Sequence, residues 1–170
     1  MVSRVLGLVL ASLVIAASVR AADQRGPSTP EDRAKALQMI HQLESDPLSS
    51  GAKEARQWLT LWLIAVPDIH VALCTEFYPP LLGADKNYAS ELVMQGPYSM
   101  AAFEIQHPDQ AADEVSTYLA AVEGTLRTYE AILQKKPKAR WPVLDDLLAK
   151  RERGELAAFV RETVPKCKSK

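Results

Sequence analysis

The chain reads as all-α: a helical bundle or short helical array of six to eight helices after an N-terminal signal peptide. Three observations predict this. Apolar residues recur at steps of three and four through most of the 170-residue sequence, the period of one buried helix face. No run alternates long enough to form a half-buried strand. Capping residues, prolines and glycines fall between the periodic segments, where helices start and stop.

The first element is for export. Arg4 supplies a positive charge, and Val5 to Val19 is an apolar run with no charge. Val19-Arg20-Ala21 places small residues at −3 and −1 of a cleavage site, the pattern of a secretory signal over 1–21. The apolar run is shorter than the roughly 20 residues that a membrane-spanning helix needs. Residues 22–28 read as a flexible leader and 29–170 as one α-helical domain. The expected location is secreted or periplasmic, with no stable membrane span after cleavage.

The helices follow in order. Thr29-Pro30-Glu31-Asp32 supplies an N-cap, a first-position proline and first-turn acids. Ala36, Met39, Ile40 and Leu43 then share a face, and Asp46-Pro47 ends the helix. Ala55, Trp58, Leu59, Trp62, Leu63 and Val66 form the buried side of a second helix. Pro67-Asp68 breaks the chain, with Asp68 expected to cap a short, central third helix over 69–76. Tyr78-Pro79-Pro80 is a turn. Residues 85–95 are helical by composition, Gly96-Pro97 interrupts, and a further helix covers 97–106. After Pro108, Ala112, Val115, Leu119, Val122, Leu126, Tyr129 and Leu133 form a heptad seam, with Glu123 and Arg127 an i, i+4 pair on its polar side. Pro137 stops that helix. Trp141-Pro142 starts one that buries Leu144, Leu147 and Leu148, and Gly154 separates it from a last one carrying Leu156, Phe159 and Val160. No segment recurs at the ~34-residue period of common helical repeats.

Charge and cysteines narrow the function. The formal net charge is −1, and it falls by two when Arg4 and Arg20 leave with the signal. Basic residues are dispersed among acids, so no nucleic-acid footprint is present. In an oxidising compartment Cys74 and Cys167 read as a disulfide. It closes a loop of about 90 residues and stabilises by at most about 4–5 kcal/mol on the chain-entropy model.

The chemical motifs are sparse. Glu104-x-x-His107 places a carboxylate and an imidazole one turn apart, the unit that di-iron bundles use twice, but only one copy exists. His41 and His70 have Gln38 and Pro67 at −3, so neither completes a second copy. His70 and Cys74 have metal-ligand spacing, yet Cys74 has its partner in Cys167. Met94 and Met100 are soft donors, but methionines at helical positions usually fill cores. Asp68-x-His70 could pair a base with an orienting acid. Tyr78, Tyr88, Tyr98 and Phe103 gather in a segment broken by Pro and Gly, where a cleft lined by apolar rings and hydroxyls can form.

The resulting expectation is a non-enzymatic binding domain. The residues put forward for binding are His70, Tyr78, Tyr88, Tyr98, Glu104 and His107. No catalytic residue, metal ligand set or cofactor is assigned. The partner is a protein or a small molecule, with a homodimer through the 112–133 seam as a further expectation. The alternatives are a metal- or cofactor-binding bundle using Glu104, His107 or His70, and an envelope hydrolase whose Asp68, His70, Glu91 and Glu104 converge only in the fold.

Overall fold

A computed structural model describes residues 26–168, so the 1–21 signal segment and most of the 22–28 leader lie outside the described residues. Six α-helices make up the described chain: α1 (Pro30–Ser45), α2 (Ala52–Ala65), α3 (Ala89–Gln106), α4 (Glu114–Lys135), α5 (Pro142–Glu152) and α6 (Leu156–Thr163). Among the described residues there is no strand. None of these helices is long and apolar enough to cross a membrane.

Local chemistry sets most boundaries. The Thr29 hydroxyl accepts from Asp32 N at 3.1 Å and starts α1. Asp113 caps α4 by accepting from Val115 N, and Pro142 opens α5. Gly154, at φ +73°, ends α5. There Gly154 N donates to Arg151 O and Glu155 N to Lys150 O, the paired bonds of a Schellman stop.

The centre is the α3–α4 crossing. A Cβ on Gly124 would lie 1.8 Å from Ser99 Oγ, and one on Gly96 would lie 2.7 Å from the Tyr78 hydroxyl. Both glycines therefore buy close approach of packed elements, against a helix-propensity cost of about 1 kcal/mol each. Two apolar clusters flank the crossing. One unites α1 and α2 with α3 through Ile40, Leu43, Leu59, Trp62 and Ala101. The other joins α4, α5 and α6 to Phe77, Tyr78 and Leu92.

Three expectations are corrected. The third helix over 69–76 is absent: residues 66–74 run without helix into a 3-10 turn at Thr75–Phe77. Its backbone donors go to α3 instead, His70 N to Glu104 Oε2 at 2.9 Å and Ala72 N to Met100 Sδ at 3.3 Å. Gly96-Pro97 does not interrupt, because α3 runs continuously through a buried Pro97. Packing against α4 outweighs the lost hydrogen bond, as tertiary context often does. The start of α3 is Ala89 and not residue 85, since Asn87 and Tyr88 adopt left-handed φ values of 50° and 59°. The seam on α4 is also wider than a heptad stripe. Ala121, Gly124, Thr125 and Thr128 are buried beside Val122, Leu126 and Tyr129, whereas Ala112 is exposed ahead of the helix.

Cys74 and Cys167 are bonded, with Cα atoms 5.2 Å apart. The bond fastens the C-terminal turn to the segment entering Thr75–Phe77.

Candidate functional site

Most of the residues singled out by sequence are absorbed by the scaffold. Tyr78 is buried, and its hydroxyl bonds to Thr125; burial pushes it up to about 12 despite that bond. Glu104 is buried and receives the His70 amide. Burial raises its carboxyl above the ordinary value, more than the His70 contacts lower it. The His70 and His107 side chains are exposed, and the His107 ring lies tilted against Phe103 with centroids 4.8 Å apart. Among the described residues no cluster of three or more His, Cys, Asp or Glu could hold a metal ion. Asp68 does not cap a helix. It accepts from Ser28 N, Ser28 Oγ and Arg33 Nη2, each at 2.8 Å. Burial pushes the Asp68 carboxyl up, but these bonds outweigh it and hold the group at about 2. Asp68 is thus spent on fixing the entry to α1.

Sequence reasoning missed the ion pair with the most buried carboxylate among the described residues. Glu44, at 7% exposure, accepts from Arg127 Nε at 3.0 Å, Arg127 Nη2 at 2.8 Å and Ser99 Oγ at 2.7 Å. Gln95 Nε2 donates to Ser99 Oγ behind it. Arg127 therefore does not serve Glu123 as expected, and Glu123 meets Arg151 at 3.6 Å. A bidentate bond to a buried carboxylate wins over an exposed i, i+4 pair. Burial raises the Glu44 carboxyl, but the bonds from Arg127 and Ser99 and the Arg127 charge carry it below its ordinary value. Three hydrogen bonds fill most of the acceptor positions of the carboxylate, and the group joins α1, α3 and α4. This is a structural tie.

Tyr98 and Tyr88 border hollows. Tyr88 lies in one of about 490 Å³ at the start of α3, with Lys86, Lys136 and Lys138 on its rim. Tyr98 lies in a groove of about 390 Å³ between α2 and α3. This second groove is lined by Lys53, Arg56, Gln57 and Thr60 from α2 and by Ser90, Glu91, Met94 and Tyr98 from α3. The helical period makes it: positions 53, 56, 57 and 60 share the α2 side facing α3, and 90, 91, 94 and 98 answer them.

The floor of the groove is fixed. The Thr60 and Tyr98 hydroxyls are 2.7 Å apart, and both reach the Arg56 carbonyl, at 2.9 and 3.2 Å. Burial raises the Tyr98 hydroxyl above its ordinary value. Arg56 itself stands out. Its Nη2 donates to Pro47 O at 2.7 Å, while its Nε is buried without a partner among the described residues. Burial pulls the guanidinium below its ordinary value, and Glu91 across the groove offsets only part of this.

Other arginines are treated differently. Arg33, Arg127, Arg140, Arg151 and Arg153 each hold a carboxylate. Arg161 is exposed. Arg56 is the partly buried arginine that forms no ion pair among the described residues. Taking a cation partly out of water without an ion-pair partner is costly, and the bond to Pro47 O and the Glu91 charge offset only part of that cost.

Comparison of the chain with protein-family models, with curated proteins and with solved structures finds no match.

Proposed function

We propose that the protein is an exported, non-enzymatic binding domain whose α2–α3 groove takes a small ligand bearing a carboxylate. The observation that carries this reading is Arg56, partly buried, without an ion pair, its Nε unpartnered, and lining a groove of about 390 Å³. That size lies in the range of small-molecule sites, which combine apolar walls with a few placed polar groups. Here Met94 is the apolar wall, Thr60 and Tyr98 are the placed hydroxyls, and Arg56 with Lys53 supplies the positive charge. A ligand carboxylate would give the guanidinium the counter-charge it lacks, as charge-assisted bonds do.

Export rests on the sequence pattern of residues 1–21 and on the bonded Cys74–Cys167 pair, which suits an oxidising compartment. The site reading departs from the original candidates. Tyr98 lines the groove and Tyr88 lines the hollow at the start of α3, whereas His70, Tyr78, Glu104 and His107 line neither.

The test is titration of the isotope-labelled domain with N-acetyl-L-leucine, followed by amide NMR. Saturable shifts should centre on Arg56, Thr60, Met94 and Tyr98, and Arg56→Gln should weaken the binding by about tenfold or more. Shifts scattered over the surface, or unaffected by Arg56→Gln, would remove the reading.

A further inference from the structure

We infer that the α2–α3 groove is built for a zwitterion, a free α-amino acid with an apolar side chain, in which Glu91 holds the ammonium while Arg56 holds the carboxylate. This rests on the carboxylate-binding reading of the same groove and adds the second charge.

The argument is the separation of opposite charges. Lys53 and Arg56 line the α2 wall and Glu91 lines the α3 wall. Several opposite charges elsewhere close into contact: Lys135 reaches Asp46, Arg140 reaches Asp145, and Lys150 reaches Asp146. Across this groove no such contact forms among the described residues, although Glu91 acts on Arg56 through its field. Arg56 is held back by Pro47 O, on the loop before α2. Glu91 stands in the first turn of α3, where it lines this groove and also borders the hollow with Lys86, Lys136 and Lys138. The two helix walls thus carry a cation and an anion that form no ion pair with each other among the described residues.

A molecule carrying both charges completes the circuit, and one carrying a single charge leaves one wall unanswered. The floor fits the same ligand class. The linked Thr60 and Tyr98 hydroxyls spend their two hydrogens on each other and on the Arg56 carbonyl, so they present acceptor lone pairs at the base, and Met94 offers a soft, adaptable apolar surface beside them. A side chain such as that of leucine or methionine would lie against Met94.

Three probes separate the charges: L-leucine, N-acetyl-L-leucine without the cation, and L-leucine methyl ester without the anion. Each is titrated by amide NMR into the wild-type domain and into Glu91→Gln. L-leucine is expected to bind about tenfold tighter than either neutralised probe, the usual scale of one charge-assisted contact. Glu91→Gln should bring L-leucine down to the level of N-acetyl-L-leucine and leave N-acetyl-L-leucine unchanged. The dispersed amide spectrum of Glu91→Gln shows that the variant is folded. If L-leucine and N-acetyl-L-leucine bind equally, or if Glu91→Gln weakens both alike, the zwitterion inference is overturned and the carboxylate reading stands. If neither saturates at the groove, both are overturned.

Discussion

Glu44 and Arg56 are both charged groups drawn partly out of water, and the fold treats them in opposite ways. Glu44 is surrounded by donors from two other helices, so its charge is answered within the protein. Replacing it by glutamine leaves an amide facing the Arg127 donors. We expect a loss of about 2–3 kcal/mol, below the range for fully buried pairs because Arg127 is half exposed. The same residue sets an acid limb. Its folded-state carboxyl lies below the ordinary 4.5, so its contribution is complete above that value and fades as pH falls through the depressed one. Asp68 acts in the same direction, its contribution fading from about 3.8 toward about 2. Glu104 opposes them: its raised carboxyl costs stability as pH rises through 4.5 and beyond. Thermal melts from pH 7 to pH 2.5 should show stability falling in the acid range, and Glu44→Gln should flatten that fall. A fall of equal steepness in both proteins would contradict the assignment.

At the scale of elements, the α3–α4 crossing depends on missing side chains. Gly124→Ala would bring a methyl to within 1.8 Å of Ser99 Oγ and 2.7 Å of Glu44 Oε1. Neither neighbour is the loose end of a surface chain. Overpacking of this kind costs about 1–3 kcal/mol and sometimes more, so we expect at least 3 kcal/mol by chemical denaturation, despite alanine's better helix propensity. An unchanged midpoint would mean that the crossing is looser than described. The same crossing explains which elements were legible in the sequence. Helices set by local chemistry, with Thr29, Pro142 or Gly154 at their ends, could be read directly. The continuity of α3 through Gly96-Pro97 could not, because it is imposed by α4. The segment 66–74 failed for the same reason: its apolar composition suits a helix, but Glu104 and Met100 take its amides and Asp68 is held by Ser28 and Arg33. Glu44 did leave a trace, lying one turn beyond Ile40 on the stripe that buries Ala36 and Leu43. Arg56 left none, since an arginine on an amphipathic helix reads as solvated until its neighbours are known.

At the scale of the whole molecule, the disulfide joins residues 93 positions apart and fastens the last turn to the middle of the chain. Chain entropy gives an upper bound of about 4–5 kcal/mol for such a loop. Replacing both cysteines by serine should lower stability by about 2–4 kcal/mol and raise hydrogen exchange chiefly in α6 and around Phe77, leaving α3 and α4 protected. Uniform loss of protection would show instead that the bond supports the entire fold. Elsewhere on the surface, Leu61 and Ile64 of α2 are 59% and 78% exposed. They point away from the packed face of α2 and contribute little to the core.

On the proposed function, Arg56 serves binding and not stability. Arg56→Met tests it most directly, with melting and N-acetyl-L-leucine titration on the same sample. Methionine keeps the apolar stem and removes the desolvated charge, at the cost of the bond to Pro47 O. The account predicts a change in stability of no more than about 1 kcal/mol together with loss of ligand binding. A large fall in melting temperature with binding retained would assign Arg56 to the scaffold and leave the groove without its carboxylate site.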